Sequence, residues 1–244
     1  MFVKQAIICS RKTWMSLIVL TLGLTSTVAL ADSDPYSLAR FQPVLDDSKL
    51  QAPDSSTARA QGDFFGFHDS FFRLDSRGKY LTFEMEGDSH RSELRQMNEW
   101  QTSSLTWQKM IGEVKLFYPQ TSSLNQYTFM QIHDSGSYPN KPLIRLHWQR
   151  NRNDLPDHLW AVVRLSVSEK NYLWVNLGPR PGSFFKSEIK VKNNIMRVRI
   201  NGITMLDMDV SYWDGLSNYF KAGVYLQDAG KAKVQFKSLK YYYE

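Results

Sequence analysis

The sequence holds a single cysteine, Cys9, and it lies in a basic N-terminal leader. The rest of the chain has no thiol, so disulfides, thiolate catalysis and cysteine metal sites are excluded there. Glycine is sparse, at 13 of 244 residues, and no motif recurs at a fixed period. Collagen is therefore excluded and a solenoid disfavoured. No stretch of a dozen residues beyond the leader shows a clean helical apolar period. There is no glycine-rich phosphate loop and no serine nucleophile elbow. Dense basic clusters of the kind that hold nucleic acid are also missing.

Apolar and aromatic residues are plentiful. Hydrophobic residues make up 42% and charged residues 22%, enough apolar surface for a sizeable core. Aromatics reach 14%, which favours β-structure and supplies flat surfaces for a ligand.

Lys4, Arg11 and Lys12 open the chain, an uncharged apolar stretch runs from Trp14 to Leu30, and Ala29-Leu30-Ala31 precedes Asp32. A basic start, an apolar run and a small-x-small site form the pattern of a secretory signal peptide over residues 1–31. An uncleaved membrane anchor is the alternative, disfavoured because the run is short and contains Thr and Ser. Cleavage after Ala31 predicts a secreted or periplasmic protein with no membrane attachment. Removing the leader's three basic residues lowers the formal net charge from +6 to +3. That mild excess admits an acidic polymer as partner without requiring one.

Residues 32–62, rich in Asp, Ser, Pro and Ala, read as an irregular lead-in with a short helix near Tyr36 to Phe41. Residues 63–244 read as one domain of about a dozen short strands. Turn chemistry separates many of them, and Asn201-Gly202 between Ile200 and Ile203 signals a type I′ hairpin. The only later helix candidate is a turn around Trp213 to Asn218. An all-β jelly roll follows, two stacked antiparallel sheets in a concanavalin-like sandwich.

Three of these strands place polar side chains on one face, since residues two apart share a face. Arg91, Glu93 and Arg95 fall together, as do Gln131 and His133, and as do Tyr219, Lys221, Tyr225 and Gln227. The opposite faces are apolar. If the strands are neighbours, they form an electropositive trough with acid–base groups in it, suited to an anionic polymer. Taken singly, each set is more simply a solvated sheet face or a surface ion-pair ladder.

In chain order, Arg91-Ser92-Glu93-Leu94-Arg95, Gln131-Ile132-His133 and Tyr219-Phe220-Lys221-Ala222-Gly223-Val224-Tyr225-Leu226-Gln227 resemble the three signature segments of the alginate lyases of polysaccharide lyase family 7. The resemblance runs from about Phe64 to the C-terminus. It implies a jelly roll, an alginate substrate and cleavage of 1,4 bonds by β-elimination; no cofactor or metal is expected. Ser92 stands where the family often has Thr, and Leu226 where it usually has Asn. Both fall on the face away from the trough. The resemblance also implies roles: Arg91 and Gln131 neutralise the substrate carboxylate, while His133 and Tyr225 transfer protons. Glu93 then orients an arginine, and Arg95, Lys221, Gln227 and Tyr219 hold neighbouring sugars. In the family, isoleucine between the Gln and His goes with guluronate-containing chains, so Ile132 implies guluronate or mixed links.

Other functions fit less well. A glycoside hydrolase needs two carboxyl groups across the scissile bond, and Glu84 and Glu86 are the best pair on offer. Their surroundings lack the Glu-x-Asp-x-x-Glu strand of jelly-roll glucanases. His68, His90, His133, His147 and His158 show no ligand spacing, and Asp207, Asp209 and Asp214 read as a solvated loop rather than a calcium site. A carbohydrate-binding module on the same sandwich would keep Arg91, Arg95 and Lys221 but would not need His133 and Tyr225 together. The expected partner is an anionic polysaccharide, with no nucleic acid, and the protein is expected to act as a monomer.

Overall fold

The structure is a computed structural model that describes residues 34–244; the leader expected over 1–31 lies outside the described residues. Fifteen strands form two antiparallel sheets. Across the eight-stranded sheet run β10 (Tyr172–Pro179), β9 (Leu155–Arg164), β8 (Pro142–Arg152), β7 (Gln126–Asp134), β14 (Asn218–Leu226), β5 (Arg91–Gln96), β1 (Ser48–Gln51) and β2 (Thr57–Arg59). Across the seven-stranded sheet run β13 (Ile203–Asp209), β12 (Ile195–Ile200), β11 (Phe185–Lys192), β6 (Gln108–Leu116), β15 (Gly230–Tyr243), β4 (Leu81–Gly87) and β3 (Phe72–Leu74). The two sheets stack as the expected jelly roll.

The sheets follow from period-2 alternation. In β6, Met110, Gly112, Val114 and Leu116 turn inward, while Lys109, Ile111, Glu113 and Lys115 turn out. The inward faces meet in an aromatic core. Phe72 lies 5.4 Å from Phe83, edge to face, and Phe83 lies 5.8 Å from Phe236 in the same way. The predicted hairpin joins β12 to β13, with Asn201 at φ 50° and Gly202 at φ 84°, the two left-handed positions that a type I′ turn requires. The late turn is a 3-10 turn at Ser211–Trp213.

One sequence expectation needs correction. The lead-in is not irregular: after a 3-10 turn at Pro35–Ser37 and a helix, α1 (Gln42–Asp46), it supplies β1 and β2. The helix therefore starts after the predicted stretch, with Pro43 in its first turn, where proline's missing N–H is tolerated. β1 pairs with β5, and Phe41, Val44, Leu45 and Leu50 are buried in the common core. Short polar strands of three or four residues carry too little alternation to be read from sequence.

Strand β7 departs from strict alternation. Its register slips between Thr128 and Met130 against β8. Phe129 and Met130, consecutive residues, are both wholly buried in the core. This bulge resets the alternation, so Tyr127 points into the core although it has the sequence parity of Gln131 and His133.

Candidate active site

The sheet order β7–β14–β5 places the three signature strands side by side. Lys221 lies opposite Arg95 on one side and Gln131 on the other. Tyr225 lies opposite Arg91, and Tyr219 opposite His133. Their outward face carries a cavity of about 460 Å³, lined by Arg91, Gln131, His133, Tyr219, Lys221 and Tyr225. Gln51, Ser55, Asn140, Lys141, Pro142, Arg145 and Tyr172 complete its wall.

Glu93 forms the floor, with no exposed surface. Its Oε1 accepts from Gln131 Nε2 at 2.6 Å, its Oε2 meets Lys221 Nζ at 2.6 Å, and Arg91 Nη1 is 3.5 Å away. Burial alone would raise the Glu93 carboxyl. The charges of Lys221 and Arg91, with hydrogen bonds from Lys221 and Gln131, outweigh it and hold the group ionised, below its ordinary range. Burial draws the Lys221 ammonium down in turn, against the pull of Glu93. The Gln131 amide has two N–H groups. With one committed to Glu93, the other remains for the cavity.

His133 is fixed by its own backbone neighbour. Its Nδ1 is 2.7 Å from the Asp134 carbonyl oxygen, which can only accept, so Nδ1 carries the hydrogen and Nε2 keeps a lone pair. Burial lowers its pKa to about 4, Lys221 and Arg91 repel a further positive charge, and the Asp134 carbonyl and Glu93 only partly offset this. The ring is neutral at ordinary pH and stacks on Tyr219 at 5.5 Å. The Asp134 carboxylate accepts from the N–H groups of Gly136 and Asn140, at 3.1 and 3.0 Å, which pins the loop that brings Asn140 and Lys141 to the cavity.

Two arginines lie over tyrosine rings. Arg91 Cζ stands 4.0 Å from the Tyr225 centroid, and Arg95 Cζ 4.0 Å from that of Tyr219. Gly223, two residues before Tyr225, has φ +149°, and a Cβ there would fall 2.2 Å from the Ser92 carbonyl oxygen. Only glycine allows β14 to approach β5 this closely. Ser92 Oγ donates to the Phe71 carbonyl at 2.9 Å, and Leu226 is fully buried in the core; both face away from the trough, as parity predicted.

The structure gathers Arg91, Gln131, His133, Tyr225, Tyr219 and Lys221 at the cavity, and it adds partners that the sequence did not show. Lys221, 1% exposed, is a buried partner of Glu93 and still lines the cavity. Glu93 engages Lys221 and Gln131 more closely than Arg91. Arg95 stands outside the cavity wall, its guanidinium on Glu99 and the Tyr219 ring. Gln227 also stands outside the wall and accepts a hydrogen bond from Arg145. Glu84, the best hydrolase carboxylate, is held by Arg73 at 2.6 Å and Lys231 at 3.2 Å on the other sheet. Among the described residues, no three His, Asp or Glu side chains are grouped to hold a metal ion.

Arg145 was missed, although the alternation of Leu143 to Gln149 puts it on the polar face of β8 by the same rule that selected Gln131. Gln51 comes from the lead-in and had no comparable signal.

A family model described as alginate lyase matches residues 42–243. The chain belongs to the alginate lyase family, polysaccharide lyase family 7. An alginate lyase from Photobacterium sp. (strain ATCC 43367) is 26% identical over 279 residues, spanning 93% of this chain and 97% of that protein. Among solved structures, alginate lyase AlyC3 in complex with dimannuronate matches with a TM-score of 0.78 at 26% identity, over 87% of this chain and 95% of its own. Alginate lyase A1-II′ matches with a TM-score of 0.67 at 24% identity, over 82% of this chain and 96% of its own, a likeness of fold. The protein is thus a polysaccharide lyase acting on alginate, and the trough of this lyase faces away from the second sheet.

Proposed function

We propose that the cavity on β5, β7 and β14 cleaves alginate by β-elimination, at guluronate-containing or mixed links, in an exported protein that works as a monomer. Elimination removes the C5 proton beside a uronate carboxylate. The electron pair forms the C4–C5 double bond and expels the C4 glycosidic oxygen, which takes up a proton. The C5 proton is weakly acidic while the carboxylate is charged, so donors must meet that charge as the enolate forms. Arg91 and the free Gln131 N–H supply them. A base with an open lone pair and an acid must then stand at the sugar ring.

The observation that carries this reading is His133: a neutral imidazole, its Nδ1 tied back to Asp134, leaving Nε2 as the acceptor on the cavity wall. Tyr225 stands on the same wall and supplies the phenol proton for the leaving oxygen. In guluronate the C5 proton and the C4 oxygen lie on opposite sides of the ring, so His133 is the base and Tyr225 the acid. In mannuronate they lie on the same side, and Tyr225 can serve both. Ile132 has no exposed surface and lies between Gln131 and His133, so it acts on block preference by setting their height through core packing. Cleavage at mannuronate is the second reading, favoured by AlyC3, whose complex holds dimannuronate.

The test is His133→Ala assayed on separate polyguluronate and polymannuronate blocks, by absorbance of the unsaturated product near 235 nm. Guluronate cleavage should fall further than mannuronate cleavage. Equal losses on both blocks refute the division of labour. Export is supported by the leader pattern, and mass spectrometry of the secreted protein should find Asp32 at the N-terminus. Light scattering of the purified protein should give the mass of one chain, and a larger mass would refute the monomer.

A further inference from the structure

The seven-stranded sheet turns its other face to solvent, and that face is rich in lysine. On it, Lys190 meets Glu188, Arg197 meets Asp207, Lys237 meets Glu113, and Arg73 and Lys231 share Glu84. None of the ion pairs among the described residues includes Lys109, Lys115, Lys186, Lys192, Lys233 or Lys240, although all six belong to β6, β11 or β15 of this sheet. A formal net charge of only +3 after loss of the leader is thus unevenly spread.

Two of these lysines converge. Lys233 Nζ is 4.2 Å from the Phe117 ring centroid and Lys115 Nζ is 5.0 Å from it. Both line one groove of about 480 Å³, with Arg77 and Gln235 beside them. The groove's one carboxylate, Asp75, is engaged by Arg77 at 3.3 Å and by the N–H groups of Lys79 and Tyr80. An aromatic face attracts cations but does not neutralise them. Two ammonium groups drawn to one ring, with no carboxylate between them, make a receptor for an anion. Gln235 donates to Thr82 Oγ1 at 3.2 Å, which leaves its amide oxygen for a hydroxyl. A second cavity of about 260 Å³ shares Phe117 and Lys233 and continues past Gln120 and Thr121, so the groove is longer than one binding point; the carboxylate it adds, Glu84, is held by Arg73 and Lys231. No residue lines both this groove and the catalytic cavity.

We propose that the Lys115–Phe117–Lys233 groove is a second, non-catalytic binding site for a segment of the anionic polyuronate chain. Charge complementarity selects this occupant: uronate carboxylates bridge the paired ammonium groups, the sugar ring covers Phe117, and hydroxyls meet Gln235. A repeating polymer matches a groove that continues beyond its first pair of cations.

Electrophoresis through gels cast with alginate polymer tests this, in a His133→Ala background that limits digestion. Lys115→Gln/Lys233→Gln should weaken retardation roughly threefold to thirtyfold, the loss of two exposed charge contacts. Lys186→Gln/Lys192→Gln removes the same charge from the same face outside the groove and should leave retardation near that of the background. In the active enzyme, Lys115→Gln/Lys233→Gln should raise KM on long polymer while leaving turnover of trisaccharides and the thermal midpoint unchanged. Undiminished retardation overturns the site. So does equal loss in the control pair, which would assign the effect to diffuse charge, and so does an equal fall on trisaccharides.

Discussion

Glu93 Oε1 accepts the Gln131 amide at 2.6 Å from beneath the trough, joining the central carboxylate of one signature segment to the first residue of another. The same carboxylate holds Lys221 of the third. Three segments that are far apart in sequence are tied at one buried charge. Glu93→Ala would leave Lys221 and Arg91 without their counter-charge. Breaking a buried pair from one side costs about 3–5 kcal/mol, so the variant should unfold at clearly lower urea concentration or temperature. A melting midpoint within a degree of wild type would remove Glu93 from its structural role.

Acid sensitivity follows from His133. Its folded pKa of about 4 lies below the value near 6.5 of a free histidine. Between those values the unfolded chain binds more protons than the folded one, so stability falls as pH drops through that window. His133 alone contributes about 3 kcal/mol of this loss. Protonation of Glu93, whose carboxyl is also held low, acts in the same direction further down. For the reaction, the acid limb of kcat/KM on guluronate blocks should have its midpoint nearer 4 than 6.5, since that limb reports the free enzyme's base. A midpoint at 6.5 would show that His133 is not the group titrating.

Tyr225→Phe removes a single oxygen and leaves the ring beneath Arg91. Folding and binding should survive while turnover falls about 10²–10⁴-fold, the usual cost of losing a positioned proton donor. Retention of more than about a tenth of the wild-type rate on every alginate block would reject the assignment.

Gly223→Ala tests the backbone under that tyrosine. The added methyl would meet the Ser92 carbonyl at 2.2 Å, in a backbone conformation that alanine rarely adopts. A loss of about 2–4 kcal/mol in stability is expected, with Tyr225 displaced, so turnover should fall more than the fraction unfolded explains. Normal activity and denaturation would show that β5 and β14 can separate freely.

Much of the site was legible because a strand hides little. Two-residue parity placed Arg91 with Glu93, Gln131 with His133, and Lys221 with Tyr225 before any neighbour was known. Parity does not give depth. Lys221 is covered because β14 is central, with long side chains on β5 and β7 at either hand, and only the strand order reveals that. Competition is equally invisible: Glu99, four residues along the chain, claims Arg95, and Arg145 from β8 claims Gln227. Gln51 belongs to a four-residue strand too short to alternate, yet β1 adds it to the cavity through its pairing with β5.

The burial of the Glu93–Lys221 pair separates what salt can reach from what it cannot. At about 0.15 M the screening length is about 8 Å of solvent, but these charges are held at 2.6 Å with almost no exposed surface. Seawater and fresh water therefore present the same fixed field to a sugar already seated. Only the approach of the polymer, drawn in by exposed cations, weakens as ions accumulate. This lyase should answer rising ionic strength through capture of its substrate, with the chemical step nearly indifferent to the medium.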